Sequence, residues 1–213
     1  MSSTAKRPYH APRRAAAAER TRHAVVAGAK AEFESRGWAG ATIRDVAARA
    51  GVSPKTVEAL FGTKAALLSA TVDFSIRGDV RPVPVARRAA FAEMEAVEHA
   101  AAFLDLHAAQ VRRISERTAR IAWVVEQAAA SDPDVAELWA RMTRNRHTGT
   151  RWATKTLRAK VDADRSLRAR DITDTFWIAL DWGTYRTLSE HRGMSAGAFQ
   201  AWLRRYYQSM LLR

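Results

Sequence analysis

An all-α fold in two parts, a small N-terminal domain built on a helix-turn-helix and a larger helical bundle after it, is what this sequence predicts. Three observations carry the prediction. Apolar residues recur at helical spacing along most of the chain, and no segment alternates as a strand would. The stretch TIRDVAARAGVSPKTVEALFGTK, residues 42–64, places cap and turn residues at the ends of two short helices. Finally, Gly78, Pro82 and Pro84 interrupt the pattern once, within GDVRPVPVARR. These features divide the 213 residues into a basic tail (1–18), a helix-turn-helix domain (19–80) and a helical bundle (81–213).

Composition limits the classes of function. Hydrophobic residues make up 47% of the chain, enough for a sizeable core. No apolar run approaches the ~20 residues that cross a membrane, and the N-terminus lacks a signal-peptide core. Cysteine is absent, which removes disulfides, thiolate metal sites and a cysteine nucleophile. An intracellular protein without a membrane partner is the expectation. The formal charge of +13 favours an anionic partner, nucleic acid first, although arginines spread over solvated helix faces give the same total.

In chain order, residues 1–18 carry Lys6, Arg7, Arg13 and Arg14 with no acid and two prolines, and read as a disordered tail. Such an arm either follows DNA or carries incidental charge. From Glu19 to Arg36, Val25, Ala29 and Phe33 give a bracing helix stopped by Gly37, with Trp38 filling the corner. Thr42 is an N-cap, with Asp45 three residues on. Ile43, Val46, Ala47 and Ala50 then form one apolar face, and Gly51 supplies the left-handed residue that ends the helix. Val52 plugs the turn, Ser53 caps the next helix and Pro54 takes its first position. Val57, Leu60 and Phe61 give that helix its buried side. This is the layout of a DNA-binding helix-turn-helix, whose second helix enters the major groove. Thr63 caps a fourth helix reaching about Arg77, with Leu67, Leu68 and Phe74 tying it to the remainder.

Taken together, the helix ending in Phe33 and Gly37-Trp38, the run from Thr42 to Ala47, Ala50 to Ser53, Thr56-Val57, Phe61 and Lys64 to Leu68 resemble the N-terminal domain of the TetR family of bacterial transcriptional repressors. The resemblance spans Thr21 to Arg77, about a quarter of the chain, and many spaced positions agree. It departs at Glu58, where the family usually has a tyrosine touching a phosphate. A carboxylate there either turns away from DNA or reads a cytosine amino group. By position, Thr42, Arg44 and Lys64 are expected at phosphates, and Ser53, Lys55 and Thr56 at phosphates or base edges. Capping alone explains Thr42 and Ser53, so Lys55 is the stronger candidate; Val57 reads as core.

Beyond residue 86, an apolar stripe runs through Phe103, His107, Val111, Ile114, Thr118, Ile121, Val125 and Ala128, long enough that a break or bend near Ser115 is expected. Asp132-Pro133 starts the next helix, which carries Val135, Trp139, Met142, Trp152 and Leu157. Residues 160–170 read as a charged connecting loop. Asp171 is expected to cap a helix holding Phe176, Trp177, Leu180, Trp182, Tyr185 and Leu188, and Ser195 the last one, with Phe199, Trp202, Leu203, Tyr206 and Met210. Aromatics on more than one face of these last helices ask for burial beyond one chain's core. The resemblance agrees: two C-terminal helices from each subunit form the family's dimer interface. It also implies a small-molecule pocket in the bundle, and so a ligand-binding and dimerisation domain.

Trp38 is the one tryptophan of seven that precedes residue 120, and Trp123, Trp139, Trp152, Trp177 and Trp182 are candidates for such a pocket or for plain core. Met142 joins them. His107, Arg146 and Asp181 fall on or beside apolar stripes, so each is paired, exposed or functional. No catalytic residue is predicted. Glu95, Glu98 and His99 do not make the repeated Glu-x-x-His units of a di-metal bundle, and no P-loop, G-x-S-x-G, H-E-x-x-H or dinucleotide glycine pattern is present. No cofactor or metal is expected. The reading is a homodimeric regulator of a double-stranded DNA operator, released by an unknown effector. Its alternatives are a basic protein binding nucleic acid without sequence preference and, further off, a helical-bundle enzyme.

Overall fold

The computed structural model describes residues 11–79 and 88–212. Within them the chain forms α1 (Ala11–Gly40), α2 (Ile43–Ala50), α3 (Pro54–Phe61), α4 (Lys64–Arg77), α5 (Ala89–Ala96), α6 (Ala100–Ala129), α7 (Pro133–Arg158), α8 (Ala169–Ala179), α9 (Trp182–Arg186) and α10 (Ala196–Leu211). No strand occurs among these residues. The Pro82–Pro84 boundary and residues 1–10 of the expected tail lie outside the described segments.

Local chemistry accounts for most of the ends. Thr42 Oγ1 accepts from the Asp45 backbone N–H at 3.1 Å, Ser53 Oγ from Thr56 at 3.1 Å, and Thr63 Oγ1 from Ala66 at 3.0 Å. Asp132 accepts at the start of α7 from Asp134 and Val135 at 3.0 and 3.1 Å, and Ser195 at the start of α10 from Ala198 at 3.2 Å. Each such cap is worth about 1 kcal/mol. Gly51, at φ 68°, closes α2 while Val52 N–H reaches Ala47 O at 3.0 Å and Gly51 N–H reaches Ala48 O at 3.3 Å, so a left-handed residue satisfies the last carbonyls.

Five expectations about helix ends change. α1 begins at Ala11, eight residues before Glu19, because Pro12 sits in its first turn and four consecutive alanines favour helix; Gly37 (φ 67°) kinks it where a stop was expected. No break occurs near Ser115: α6 holds for 30 residues, without glycine or proline, packed by neighbours along both halves. α8 starts after Arg168, with no side-chain cap, and Asp171 instead lies in the first turn, paired with Arg168 at 2.8 Å. The helix expected to run to Leu188 is broken after Ala179, since Asp181 caps α9 by accepting from Thr184 N–H at 2.9 Å; a π-helical turn follows at Thr187–His191.

Two apolar cores result. One joins α1–α4 to the second half of α6 and the start of α7: Phe33, Val46, Val57, Leu67 and Val72 meet Ile121, Val125 and Val135. The other packs α5, the first half of α6, the end of α7 and α8–α10 around Phe103, Phe176, Phe199 and Tyr207. The helix-turn-helix thus shares its core with the bundle, through α4. Phe74 of α4 lies edge-on to His23 of α1 at 5.2 Å. Lys160, read from sequence as loop, is buried, and its ammonium donates to Met94, Glu95 and Val97 carbonyls at 3.0, 3.0 and 2.7 Å, ending α5.

Candidate DNA interface and effector pocket

α2 and α3 are held on α1 by a small ion network. Glu32, buried on α1, meets Arg49 of α2 at 2.6 Å and Arg36 at 3.2 Å, and Arg36 continues to Asp45 at 3.2 Å. A buried carboxylate demands such partners. The hydrogen bond from the Thr42 hydroxyl at 2.7 Å, helped by Arg36 and Arg44, holds the Asp45 carboxyl below its ordinary pKa. Arg22 of α1 lies over the Phe61 ring at 4.5 Å, bracing the far end of α3. The recognition pair is therefore fixed as one piece with α1.

What this piece turns outward is the start of each short helix. Thr42 and Arg44 are exposed at α2, Ser53 and Lys55 at α3, and Thr56 is half-buried beside them. Ser53 and Thr56 hydroxyls lie 2.9 Å apart, so they cap and brace one another. Arg44 and Lys55 have no ion pair among the described residues, and each stands in the first turn of its helix, where backbone N–H groups also favour a phosphate. Glu58 is exposed one turn further along α3. Lys64 does not join this face. Its ammonium is hydrogen-bonded to the Trp38 carbonyl and lies 4.3 Å over the Trp38 ring, half-buried, and burial lowers its pKa. An ammonium so engaged secures the α1 kink to α4.

In the bundle a cavity of about 640 Å³ opens between α4, α5, α6, α7 and the α8–α9 corner. That is within the usual range for small-molecule sites, about 300–1,000 Å³. Of the residues singled out from sequence, His107, Met142 and Arg146 line it, as do Trp152 and Trp182. His107 is fully enclosed, with Nδ1 2.8 Å from the Tyr207 hydroxyl, and burial lowers its pKa to about 3, so the imidazole is neutral. Arg146 is spoken for: it donates to Asp181 at 2.8 Å and to the Trp177 carbonyl at 2.8 Å, and stacks on the Trp177 ring at 3.7 Å. Asp181 and Trp177 thus hold a wall residue and do not line the cavity themselves. Trp123 lies outside, exposed, with Arg186 stacked on its ring at 3.6 Å, and Trp139 packs into the first core.

Sequence reasoning missed Phe91 and Met94 of α5, Leu180, and the polar group Asp73, Arg77 and Arg141. The three-residue spacing of Phe91 and Met94 was a signal for an inward helix face; nothing local indicated that Asp73 and Arg141, 68 positions apart, would meet. Among the described residues, no cluster of three or more His, Asp or Glu is placed to hold a metal, and no single helix is long and apolar enough to cross a membrane.

Comparison with known proteins places this geometry. Residues 25–71 match the family model of bacterial regulatory proteins of the tetR family. No curated protein matches the chain by sequence. Among solved structures, a protein from Rhodococcus sp. described as a TetR-family transcriptional regulator is similar over 90% of this chain and 98% of its own, at 18% identity and a TM-score of 0.66. A transcriptional regulator from Saccharomonospora viridis, solved in complex with choline, aligns over 90% of this chain and 97% of its own, at 16% identity and a TM-score of 0.66. A TetR-family regulator from Mesorhizobium loti MAFF303099 aligns over 91% and 96%, at 14% identity and a TM-score of 0.59. This chain carries the DNA-binding domain of the bacterial TetR family of regulatory proteins and has the fold of that family's transcriptional regulators.

Proposed function

We propose that this chain acts in the bacterial cytoplasm, at the nucleoid, as a homodimeric repressor that a small molecule releases from a roughly palindromic operator. The division into a helix-turn-helix domain (19–80) and a ligand-binding and dimerisation domain (81–213) belongs to the same reading. One observation carries it: α4, which packs directly against the helix-turn-helix core, also supplies Asp73, Ile76 and Arg77 to the wall of the bundle cavity. A molecule in that cavity touches the helix that positions α3. An effector that binds better when α4 has shifted would move the population toward a state with wrongly spaced recognition helices. The choline bound to the Saccharomonospora viridis relative supports a ligand role for this fold.

Arg44 and Lys55 are assigned to phosphates or base edges, and Thr42, Ser53 and Thr56 to the same face through their caps. The dimer is assigned to α8 and α10, where Ile178 and Met210 stand about half exposed (49% and 50%) beside half-buried Trp202 and Tyr206. Two subunits would place two α3 helices on half-sites about 34–36 Å apart. Catalysis has no support in the residues lining the cavity: its one enclosed histidine is a neutral hydrogen-bond partner of a tyrosine.

Fluorescence anisotropy with the DNA upstream of the protein's own coding sequence, against a scrambled duplex over a salt series, tests the reading. Binding about 10³-fold tighter to the upstream DNA marks a sequence-specific regulator. Equal binding to that duplex, to its scrambled form and to duplexes from random-sequence selection, with a steep salt slope, would leave the non-specific nucleic-acid reading.

A further inference from the structure

The geometry points to an effector of one chemical class: an amphipathic carboxylate, an apolar or aromatic body carrying one acid group, whose carboxylate replaces Asp73 on Arg141. This rests on the cavity being the effector site. The cavity has two unlike ends. At one, Phe91 and Trp152 rings lie 4.9 Å apart, and Met94, Leu180 and the neutral His107 also line the wall. That end suits an apolar or aromatic body.

At the other end, α4 and α7 bring together two guanidiniums and one carboxylate. Arg141 Nη1 donates to Asp73 Oδ1 at 3.2 Å, while Nη2 donates to Ser69 Oγ at 2.9 Å. Arg77 approaches the other Asp73 oxygen only to 3.8 Å, and its buried Nε has no hydrogen-bond partner. Among the described lining residues Asp73 is the single carboxylate, and Arg146 is already neutralised by Asp181. Two cations therefore share one anion at the edge of an apolar space, an excess of one positive charge. A partly desolvated cation without a full counter-charge is unfavourable, and an arginine that makes single contacts to two different groups gains most from a planar bidentate acceptor. A ligand carboxylate supplies both. A cationic ligand would meet the same excess as repulsion, which separates this site from one suited to choline.

The same contact gives the ligand a lever. Asp73 and Ser69 are on α4, and Arg141 is on α7. A carboxylate that takes Arg141 from Asp73 loosens a direct tie between the bundle and the helix that carries α3.

Isothermal titration of the full-length protein with six probes tests this: 4-phenylbutyrate and decanoate, their primary amides, and the matching trimethylammonium salts. The expected result is that each acid binds about tenfold or more tightly than its amide, with the ammonium salts weakest. Arg141→Gln should bring the acids down to the level of the amides and leave the amides unchanged. Asp73→Asn, which removes the competing carboxylate, should strengthen the acids several-fold, roughly, and so keeps the test open if the first variant does not fold. Equal affinity for acid and amide overturns the carboxylate assignment while leaving the cavity as the effector site. An ammonium salt binding tightest overturns it in favour of a cation. Acids unmoved by both variants bind elsewhere and overturn it too. Binding by none of the six overturns both the carboxylate and the cavity reading.

Discussion

Lys55 and Lys64 show how the same side chain serves two ends at residue scale. Lys55 stands free in the first turn of α3, whereas Lys64, in the first turn of α4, is held by the Trp38 carbonyl and ring. Lys55→Ala is therefore expected to weaken operator binding and to lower the slope of log affinity against log salt by about 1, with the dimer unchanged in size-exclusion chromatography. Unchanged anisotropy titrations would displace α3 from the groove. His107 makes a second prediction. Its folded pKa, about 3, lies below the ordinary 6.5, so the unfolded chain binds the extra proton between those values. Its contribution to stability is complete above pH 6.5 and is lost as pH falls toward 3, by about 1.4 kcal/mol per unit in that window. Urea unfolding from pH 7 to 4 should show a shallower fall for His107→Gln than for the parent protein, and parallel curves would contradict the burial argument.

At the scale of elements, α4 belongs to the helix-turn-helix core and also borders the cavity, and its last turn is held from outside. Arg117 of α6 donates to the Ser75 carbonyl at 3.0 Å and to the Ile76 carbonyl at 3.1 Å, two groups that a helix end leaves without internal partners. Arg117→Ala is expected to cost about 1–3 kcal/mol and to raise hydrogen exchange selectively in α4. If α4 amides keep their protection, the anchor lies elsewhere, in the shared core. α2 and α3 are legible in the sequence because each boundary is a local event: Thr42, Ser53 and Gly51 act on backbone groups three or four residues away. The start of α8 is not legible, for the complementary reason. Asp171 and Asp181 both have the chemistry of a cap, yet only Asp181 begins a helix; Asp171 lies within the first turn of α8, whose Phe176 packs into the second core as Tyr185 of α9 does.

On the scale of the whole molecule, dimerisation and DNA affinity should rise and fall together. The double substitution Ile178→Glu, Met210→Glu places charge on the surface assigned to the partner, and sedimentation velocity should show a monomer. Operator affinity should drop by about 100-fold or more once half-sites are bound singly. A dimer that persists would move the interface off α8 and α10. Residues distant in sequence meet throughout this molecule: Arg141 with Asp73, Arg146 with Asp181, His107 with Tyr207. Each pair has an unremarkable local context, which is why the sequence marked His107, Arg146 and Asp181 as needing partners but could not supply them. Of the sequence-level pocket candidates, Trp123 and Trp139 share helical spacing with true wall residues and differ only in the direction their helix faces.

The sequence by itself determined the all-helical fold, the helix-turn-helix, its caps and turn, and the face that α3 presents, because those depend on hydrogen bonds within a few residues and on apolar periodicity. Tertiary structure alone decided that α6 runs unbroken, that Lys64 turns inward, that α4 borders a cavity, and which charges meet there. Those outcomes depend on how helices far apart in the chain pack together, and periodicity records which face of a helix is buried, not what lies opposite it.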